Sequence, residues 1–171
     1  TNVHPFLQAG NMIHTVREED FSRIAEIYNH YVLTSTYSFE ETPVSAEAFQ
    51  QRWRDLYADY PFLVYEQDGK VIGFCHVHRW RPRPAYRFTV ETTIYLDHLH
   101  LGKGIGSLLY HALFDRLKAQ GIRSVIATIS FPNEKSIRLH EKLGYVQVAH
   151  FKNMGYKFDR WIDVGYWQKM L

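Results

Sequence analysis

Three glycines at alternate positions, in residues 102–106 (GKGIG), constrain the fold more than any other feature of the sequence. They follow a β-branched run at residues 87–96 and open an apolar-periodic helix. Glycines leave backbone N–H groups accessible, and a helix start carries partial positive charge, so the loop favours an anion such as a pyrophosphate. The spacing matches neither G-x-G-x-x-G nor a P-loop, which disfavours NAD and ATP. A glycine turn that only lets helix and strand pack closely is the alternative.

The remaining pattern predicts one α/β domain with a mixed sheet and helices on its faces. The chain has 171 residues, of which 46% are hydrophobic and 22% charged, enough for one sizeable core. Residues 1–11 lack periodicity and are expected to be a non-native remnant or a loose arm, so the domain is placed at 12–171. The predicted order is β-α-α-β-β-β-α-β-α-β-β, with strands at 13–17, 62–66, 71–78, 87–96, 124–130, 145–151 and 163–171 and helices from 21, 46, 105 and 134. Asp68 and Gly69 are the predicted hairpin turn, and Ser45 is the predicted N-cap of the second helix, which carries Phe49, Trp53 and Leu56 on its apolar face.

Composition excludes several functional classes. The chain has 20 Lys and Arg against 18 Asp and Glu, a net charge of +2, which argues against a protein that covers nucleic-acid phosphates. No run approaches the ~18 apolar residues of a membrane span. A single cysteine, Cys75, allows neither an intrachain disulfide nor a cysteine-based zinc site, so the cytoplasm is the expected location.

Histidine pairs at His76 and His78 and at His98 and His100 raise the question of a metal site. Each pair is separated by one residue, which places two imidazoles on one strand face or in one turn. No carboxylate at ligand spacing completes either pair, so no metal is predicted.

Three blocks of sequence carry a family resemblance: residues 89–96 (TVETTIYL), 133–145 (NEKSIRLHEKLGY) and 157–163 (KFDRWID). Together with the glycine loop they resemble the GNAT superfamily of acetyl-CoA-dependent N-acetyltransferases, and within it the phosphinothricin and methionine sulfoximine acetyltransferase branch. Leu101 stands where the family loop has Arg or Gln. That departure removes a side-chain contact but leaves the backbone amides that the glycines expose.

The resemblance implies the GNAT (acyl-CoA N-acyltransferase) fold and acetyl-CoA as cosubstrate. In that fold two neighbouring strands separate beside the cofactor, and unpaired backbone groups bind it and polarise the thioester carbonyl. The residues that the resemblance assigns to acetyl-CoA are Ile94, Tyr95, Leu96, Gly102, Lys103, Gly104, Ile105, Gly106, Ser107, Asn133, Ser136 and Lys142. Asn133 is also a helix N-cap, which could be its only role, and Lys103 and Lys142 have solvated surface lysines as their alternative.

Acetyl transfer to an amine needs a base, because the acceptor arrives as an ammonium without a lone pair. Glu91 lies between apolar neighbours, which predicts a pKa raised by burial, and the resemblance makes it the base, directly or through a water. A glutamate on a solvated sheet face is the alternative. His140 stands where many family members carry a tyrosine general acid. It is predicted either to protonate the thiolate, to contact CoA or only to fill its helix face.

The basic, aromatic segment at residues 79–87 is the predicted acceptor site, because guanidinium groups suit a carboxylate. The resemblance lines this pocket with Arg81, Pro82, Arg83, Glu91, Thr92 and Thr93. A basic surface loop is the alternative, and an RNA-binding loop is a weaker one.

The predicted acceptor is an L-amino acid or analogue, such as phosphinothricin, methionine sulfoximine or methionine sulfone, and the branch implies a homodimer. The aromatic Trp161, Tyr166 and Trp167 would serve the core or that dimer. A polyamine, aminoglycoside or protein N-terminus as acceptor, or a non-catalytic CoA-binding module, are the alternative functions.

Overall fold

A computed structural model describes residues 9–171. The strands are β1 (Asn11–Thr15), β2 (Phe62–Gln67), β3 (Lys70–Arg79), β4 (Thr89–Leu96), β5 (Ser124–Ser130), β6 (Val146–Lys157) and β7 (Arg160–Met170). The helices are α1 (Phe21–Thr34), α2 (Ala46–Arg52), α3 (Ile105–Ala119) and α4 (Glu134–Lys142). This order confirms the predicted sequence of elements. Residues 1–8 of the expected N-terminal arm lie outside the described residues, and β1 begins at Asn11, one residue before the predicted domain boundary.

The strands form one seven-stranded sheet in the order β1-β2-β3-β4-β5-β7-β6. The pair β4–β5 is parallel and every other neighbouring pair is antiparallel. The hairpin between β2 and β3 turns at Asp68 and Gly69, both with positive φ, as the Asp-Gly signal predicts. The parallel pair is joined by α3, which the crossover requires.

Two hydrophobic clusters cover the two faces of the sheet. On one face, α1 and α2 bury Phe21, Ile24 and Phe49 against β2 and β3. On the other, α3 buries Leu109 and Leu113 against β3, β4 and β5. Side chains alternate between the faces of a strand, so each residue of β4 faces one cluster or the other. Within residues 9–171, no helix is long and apolar enough to cross a membrane.

The last two strands are longer than predicted and form one hairpin. The predicted strands stop at residue 151 and start again at residue 163, whereas β6 continues to Lys157 and β7 begins at Arg160. A two-residue turn at Phe158 and Asp159, with φ of 51° and 57°, joins them. Neither is glycine, so local composition does not mark the turn. A bulge at Asn153, whose N–H donates to Asp163 Oδ1 over 2.9 Å, interrupts the alternation of β6.

The second helix is shorter than its apolar spacing suggests. Ser45 caps α2 as predicted, accepting from Ala48 N over 3.1 Å. The helix ends at Arg52 and continues as one wider turn over Trp53–Tyr57. Leu56, predicted on its apolar face, is exposed because that turn shifts it away from the sheet.

Candidate functional site

The glycine loop leaves the start of α3 without a side-chain cap. Gly102 and Gly104 have φ of 75° and 78°, a left-handed conformation that side chains disfavour. Gly104 is the N-cap of α3 and no side chain caps it. A Cβ on Gly106 would lie 3.0 Å from Leu139 Cδ2, so that glycine permits the close approach of α3 and α4. The first N–H groups of α3 are therefore available to an anion.

The strands β4 and β5 separate beside this loop. They pair only from Thr89 with Ser124 to Glu91 with Ile126. Asp97 N donates to Ile72 O of β3 over 2.8 Å, and backbone groups alternate along a strand. Ile94 and Leu96 therefore direct their N–H and C=O groups towards the gap.

Tyr95 is oriented differently from these two neighbours. Its backbone faces β3 and its ring lies on the cleft face of the sheet, so the geometry gives no support to the predicted backbone contact of Tyr95 with the cofactor. The carbonyl of Leu96 already accepts a hydrogen bond of 2.5 Å from Tyr31 Oη. The open backbone groups in the gap thus include both groups of Ile94 and the N–H of Leu96.

The start of α4 lies across the gap from the glycine loop. Asn133 Oδ1 accepts from Ser136 N over 3.4 Å, which confirms the predicted N-cap. The side chains of Lys103 and Lys142 are exposed, and within the described part of the chain neither forms an ion pair. Ile105 and Gly106 are buried and Ser107 is partly buried, as expected in the first turn of a packed helix.

His140 is buried among aromatic rings. Its Nδ1 donates to Ser136 O over 2.7 Å, and because a carbonyl only accepts, its Nε2 accepts from Tyr110 Oη over 2.8 Å. Burial lowers the pKa of His140 to about 4, so the ring is neutral at pH 7. Both nitrogens are engaged and the residue is 3% exposed. The geometry favours the packing role and gives no support to the predicted acid role.

Thr92 belongs to the same buried network and not to the acceptor side. Its hydroxyl hydrogen-bonds Tyr145 Oη over 2.8 Å beneath α3. Because side chains alternate, Thr92 points away from the face that carries Glu91 and Thr93. The direction of its side chain therefore gives no support to the prediction that Thr92 lines the acceptor pocket.

A cleft of about 430 Å³ opens on the face that carries Thr93 and Tyr95. Its walls come from α1, the segment before α2, the turn after α2, and strands β3 and β4. The lining residues are Tyr28, Tyr37, Ser38, Phe39, Glu40, Phe49, Arg52, Tyr57, His76, His78, Thr93 and Tyr95. Most of these were missed by the sequence analysis. The hydroxyl-rich and aromatic run at residues 34–42 was the available signal.

Glu91 lies on the cleft face at the last pair before β4 and β5 separate. Its Oε2 is 2.6 Å from His78 Nε2, and its Oε1 accepts from Thr128 Oγ1 over 2.6 Å. Burial alone would raise the pKa of Glu91, but the hydrogen bonds from His78 and Thr128 outweigh it and hold the pKa below its usual value. The predicted upward shift is therefore wrong, and Glu91 is ionised at pH 7.

The predicted acceptor loop is exposed. Arg81 Cζ lies 4.2 Å above the ring of Trp80, whose edge meets Tyr166. The charge of Arg81 contributes, after burial and the hydrogen bonds, to the lowered pKa of Glu91. Pro82 and Arg83 are exposed beside it. The charge of Arg81 thus reaches Glu91, although Arg81, Pro82 and Arg83 are not among the residues that line the cleft described above.

The cleft has little net charge. Glu40 forms an ion pair with Arg52, and Glu91 pairs with His78. Within residues 9–171, no three His, Cys, Asp or Glu side chains are grouped so that they could hold a metal ion. The site thus offers backbone amides on one face of the sheet and a carboxylate beside an aromatic cleft on the other.

Comparisons with known proteins agree with this arrangement. The acetyltransferase (GNAT) domain family matches residues 13–165. Phosphinothricin N-acetyltransferase of Streptomyces viridochromogenes is 41% identical over 88% of this chain and 82% of its own length. The L-methionine sulfoximine/L-methionine sulfone acetyltransferase of Salmonella typhimurium is 35% identical over 89% of this chain and 90% of its own.

A solved structure extends the likeness to the fold. The phosphinothricin acetyltransferase of Sinorhizobium meliloti, in complex with AcCoA, superimposes with a TM-score of 0.89. It is 36% identical, over 95% of this chain and 89% of its own. Such identity along nearly the whole domain, with the separated strands and glycine loop in place, means that this chain belongs to the GNAT acetyltransferase family.

Proposed function

We propose that this protein transfers an acetyl group from acetyl-CoA to the α-amino group of an L-amino acid or analogue, such as phosphinothricin, methionine sulfoximine or methionine sulfone. One observation carries the proposal: Glu91 lies at the last pair before β4 and β5 part, with its carboxylate on the cleft face. A base at this position lies between the acceptor cleft and the gap in which the backbone groups of Ile94 and Leu96 are exposed. The names of the relatives support this acceptor class.

The residues present fit acetyl-CoA. Backbone amides of residues 104–107 at the start of α3 would hold its pyrophosphate, with Lys103 and Lys142 as solvent-exposed partners. The open backbone groups of Ile94 and Leu96 would hold the pantetheine arm. When bound, acetyl-CoA supplies an activated acetyl thioester.

The proposed base is the Glu91 carboxylate, which takes the ammonium proton directly or through one water. Its lowered pKa keeps it ionised and able to accept. Arg81 would face the acceptor's carboxylate, and Thr93 and Tyr95 would form the cleft floor. Because Glu40 and Glu91 are each paired with a basic group, the cleft does not attract a polyamine or aminoglycoside by an excess of acidic charge.

The test is acetyl-CoA-dependent release of free CoA thiol with a panel of amines. The panel holds methionine sulfoximine, phosphinothricin, methionine sulfone, common amino acids, spermidine and an aminoglycoside. Turnover confined to amino acids with a tetrahedral side-chain group is the expected result. Turnover with only the cationic amines would refute the acceptor assignment, whereas acetyl-CoA binding without turnover of any amine would point to a non-catalytic module.

A second prediction concerns the glycine loop. Gly104→Ala should weaken acetyl-CoA binding by about 10-fold, because a side chain strains the left-handed backbone that aims the amides. Gly69→Ala is a matched control, since Gly69 has a φ of 82° and, like Gly104, open space for a Cβ. Both variants should lose a similar ~1 kcal/mol of stability. Isothermal titration calorimetry that shows equal affinities for both variants would contradict the assignment.

We also propose a homodimer. The hairpin of β6 and β7 lies at the sheet edge and exposes apolar side chains, which an unpartnered edge strand seldom does. These are Val146, Val148, Phe151, Met154, Tyr156, Phe158 and Trp161. Sedimentation equilibrium should give about twice the mass of one chain.

The proposed location is the cytoplasm, where acetyl-CoA is available and a free, buried thiol such as that of Cys75 stays reduced.

A further inference from the structure

His78 is paired with Glu91 across two strands. The antiparallel register of β3 and β4 places the two residues directly opposite each other, and His78 lines the cleft. His78 Nδ1 is 2.9 Å from Arg79 O, and Nε2 is 2.6 Å from Glu91 Oε2. The function proposed above uses Glu91 but leaves His78 without a role.

The geometry determines how many protons this pair holds. A carbonyl oxygen only accepts, so Nδ1 must donate to Arg79 O. The other two atoms, His78 Nε2 and Glu91 Oε2, can both accept a hydrogen bond. Their short distance is favourable only if one proton lies between them. Thr128 donates to the other carboxylate oxygen. The resting pair therefore shares one proton. If that proton stayed, a second one would make the pair doubly protonated, so the first must leave before the pair accepts another.

The surrounding groups place that proton on His78. Its hydrogen bond to Glu91 raises the pKa of His78 against the opposing effect of burial, while Arg81 lowers it. His76 lies on the same strand, and Tyr57 packs against His78 from the turn after α2. Glu40 and Arg52 also line the cleft and pair with each other. The pair thus rests as an imidazolium and a carboxylate.

We propose that His78 and Glu91 accept the acceptor's proton as one dyad, in which His78 is a positioning residue that orients the carboxylate and takes the proton over from it. This inference rests on the proposed function. After the resting proton has left to solvent, the ammonium N–H bond breaks towards Glu91 Oε2, and the proton passes to His78 Nε2. The freed nitrogen lone pair forms the bond to the acetyl carbonyl carbon, the carbon–sulfur bond breaks, and a second nitrogen proton ends on the sulfur.

The first test follows the protein alone. NMR titration of the imidazole resonances should show His78 with a pKa above the ordinary 6.5, falling back in Glu91→Gln. No acceptor or acetyl-CoA is needed, so a wrong acceptor assignment leaves this test intact. A His78 that titrates at or below 6.5, or that does not respond to Glu91→Gln, would overturn the dyad.

The second test is the pH profile of kcat/KM for His78→Gln relative to the wild type. The ratio of wild type to variant should be at or below 1 near pH 6, where the wild-type dyad is occupied by its proton. It should rise to about 10- to 100-fold by pH 9, as His78 deprotonates in the wild type alone. The ionisation of the acceptor amine is common to both enzymes and cancels in the ratio.

His14→Gln is the matched control. His14 Nδ1 is 2.8 Å from the next carbonyl, Thr15 O, and Nε2 is 3.0 Å from Glu66 Oε2, a similar histidine–glutamate pair outside the cleft, against which Arg17 also donates. Its ratio should stay near 1 at every pH. A His78→Gln loss of the same size across the whole pH range would show a purely structural role, and no loss at all would equally refute the proposal. Thermal unfolding of each variant confirms that it is folded.

Discussion

Glu91→Gln is expected to lower kcat/KM for the amino acid acceptor by about 100- to 1000-fold, which lies within the roughly 100- to 10,000-fold that general base catalysis contributes. Glutamine has the shape of glutamate and can still accept from Thr128 Oγ1, but its amide cannot take a proton. The side chain lies on the cleft face, away from the amides of the glycine loop, so acetyl-CoA affinity should change by less than about twofold. Steady-state kinetics and calorimetry measure the two quantities.

Glu66→Gln provides the control for this variant. Glu66 is also a strand glutamate that hydrogen-bonds a histidine on the neighbouring strand, here His14 over 3.0 Å, but it lies outside the cleft. Its kcat/KM should equal that of the wild type. Glu91→Gln with nearly full activity would show that Glu91 is not the base, even if the acceptor panel gives turnover.

Lys157→Met is expected to have the largest effect on stability. Lys157 is 2% exposed, and its Nζ donates to Val32 O over 2.8 Å and to Ser38 O over 2.7 Å. Methionine fills a similar volume but leaves two buried carbonyls without a donor. The free energy of unfolding should fall by about 3 kcal/mol, which for a domain of this size lowers Tm by about 6–12 °C.

The same substitution should also affect the acceptor. Ser38 lines the cleft, so Lys157 ties the cleft wall to the end of β6. We expect KM for the acceptor to rise several-fold while acetyl-CoA affinity is retained. Lys152→Met, at an exposed position of the same strand, is the control and should be neutral. An unchanged Tm for Lys157→Met would show that the buried ammonium does not stabilise this contact.

Features that depend on local backbone conformation were predictable. The Asp68–Gly69 hairpin, the caps at Ser45 and Asn133, and the glycine loop each have a short-range signature that neighbouring residues cannot easily override. The hairpin at Phe158 and Asp159 lacks such a signature, because non-glycine residues in left-handed conformations are held by the pairing of β6 with β7. The predicted ends of those strands were wrong for this reason.

The candidate site was predictable only in part, because strand alternation permits two faces and the sequence does not say which face lies over which helices. Glu91 and Thr92 are neighbours, yet one borders the cleft and the other joins the buried network of His140. The cleft walls come from α1 and the segment before α2, far from β4 in the chain.

The sequence by itself determined the order of elements and the glycine loop, since periodicity and glycine placement are local properties, and its family resemblance pointed to Glu91 as the proposed base. The tertiary structure decided which groups surround the titratable residues. The register of β3 on β4 brings His78 opposite Glu91, and the packing of α4 against α3 buries His140 beside Tyr110. Ionisation depends on what surrounds a group in space, and those neighbours are set by packing between distant segments.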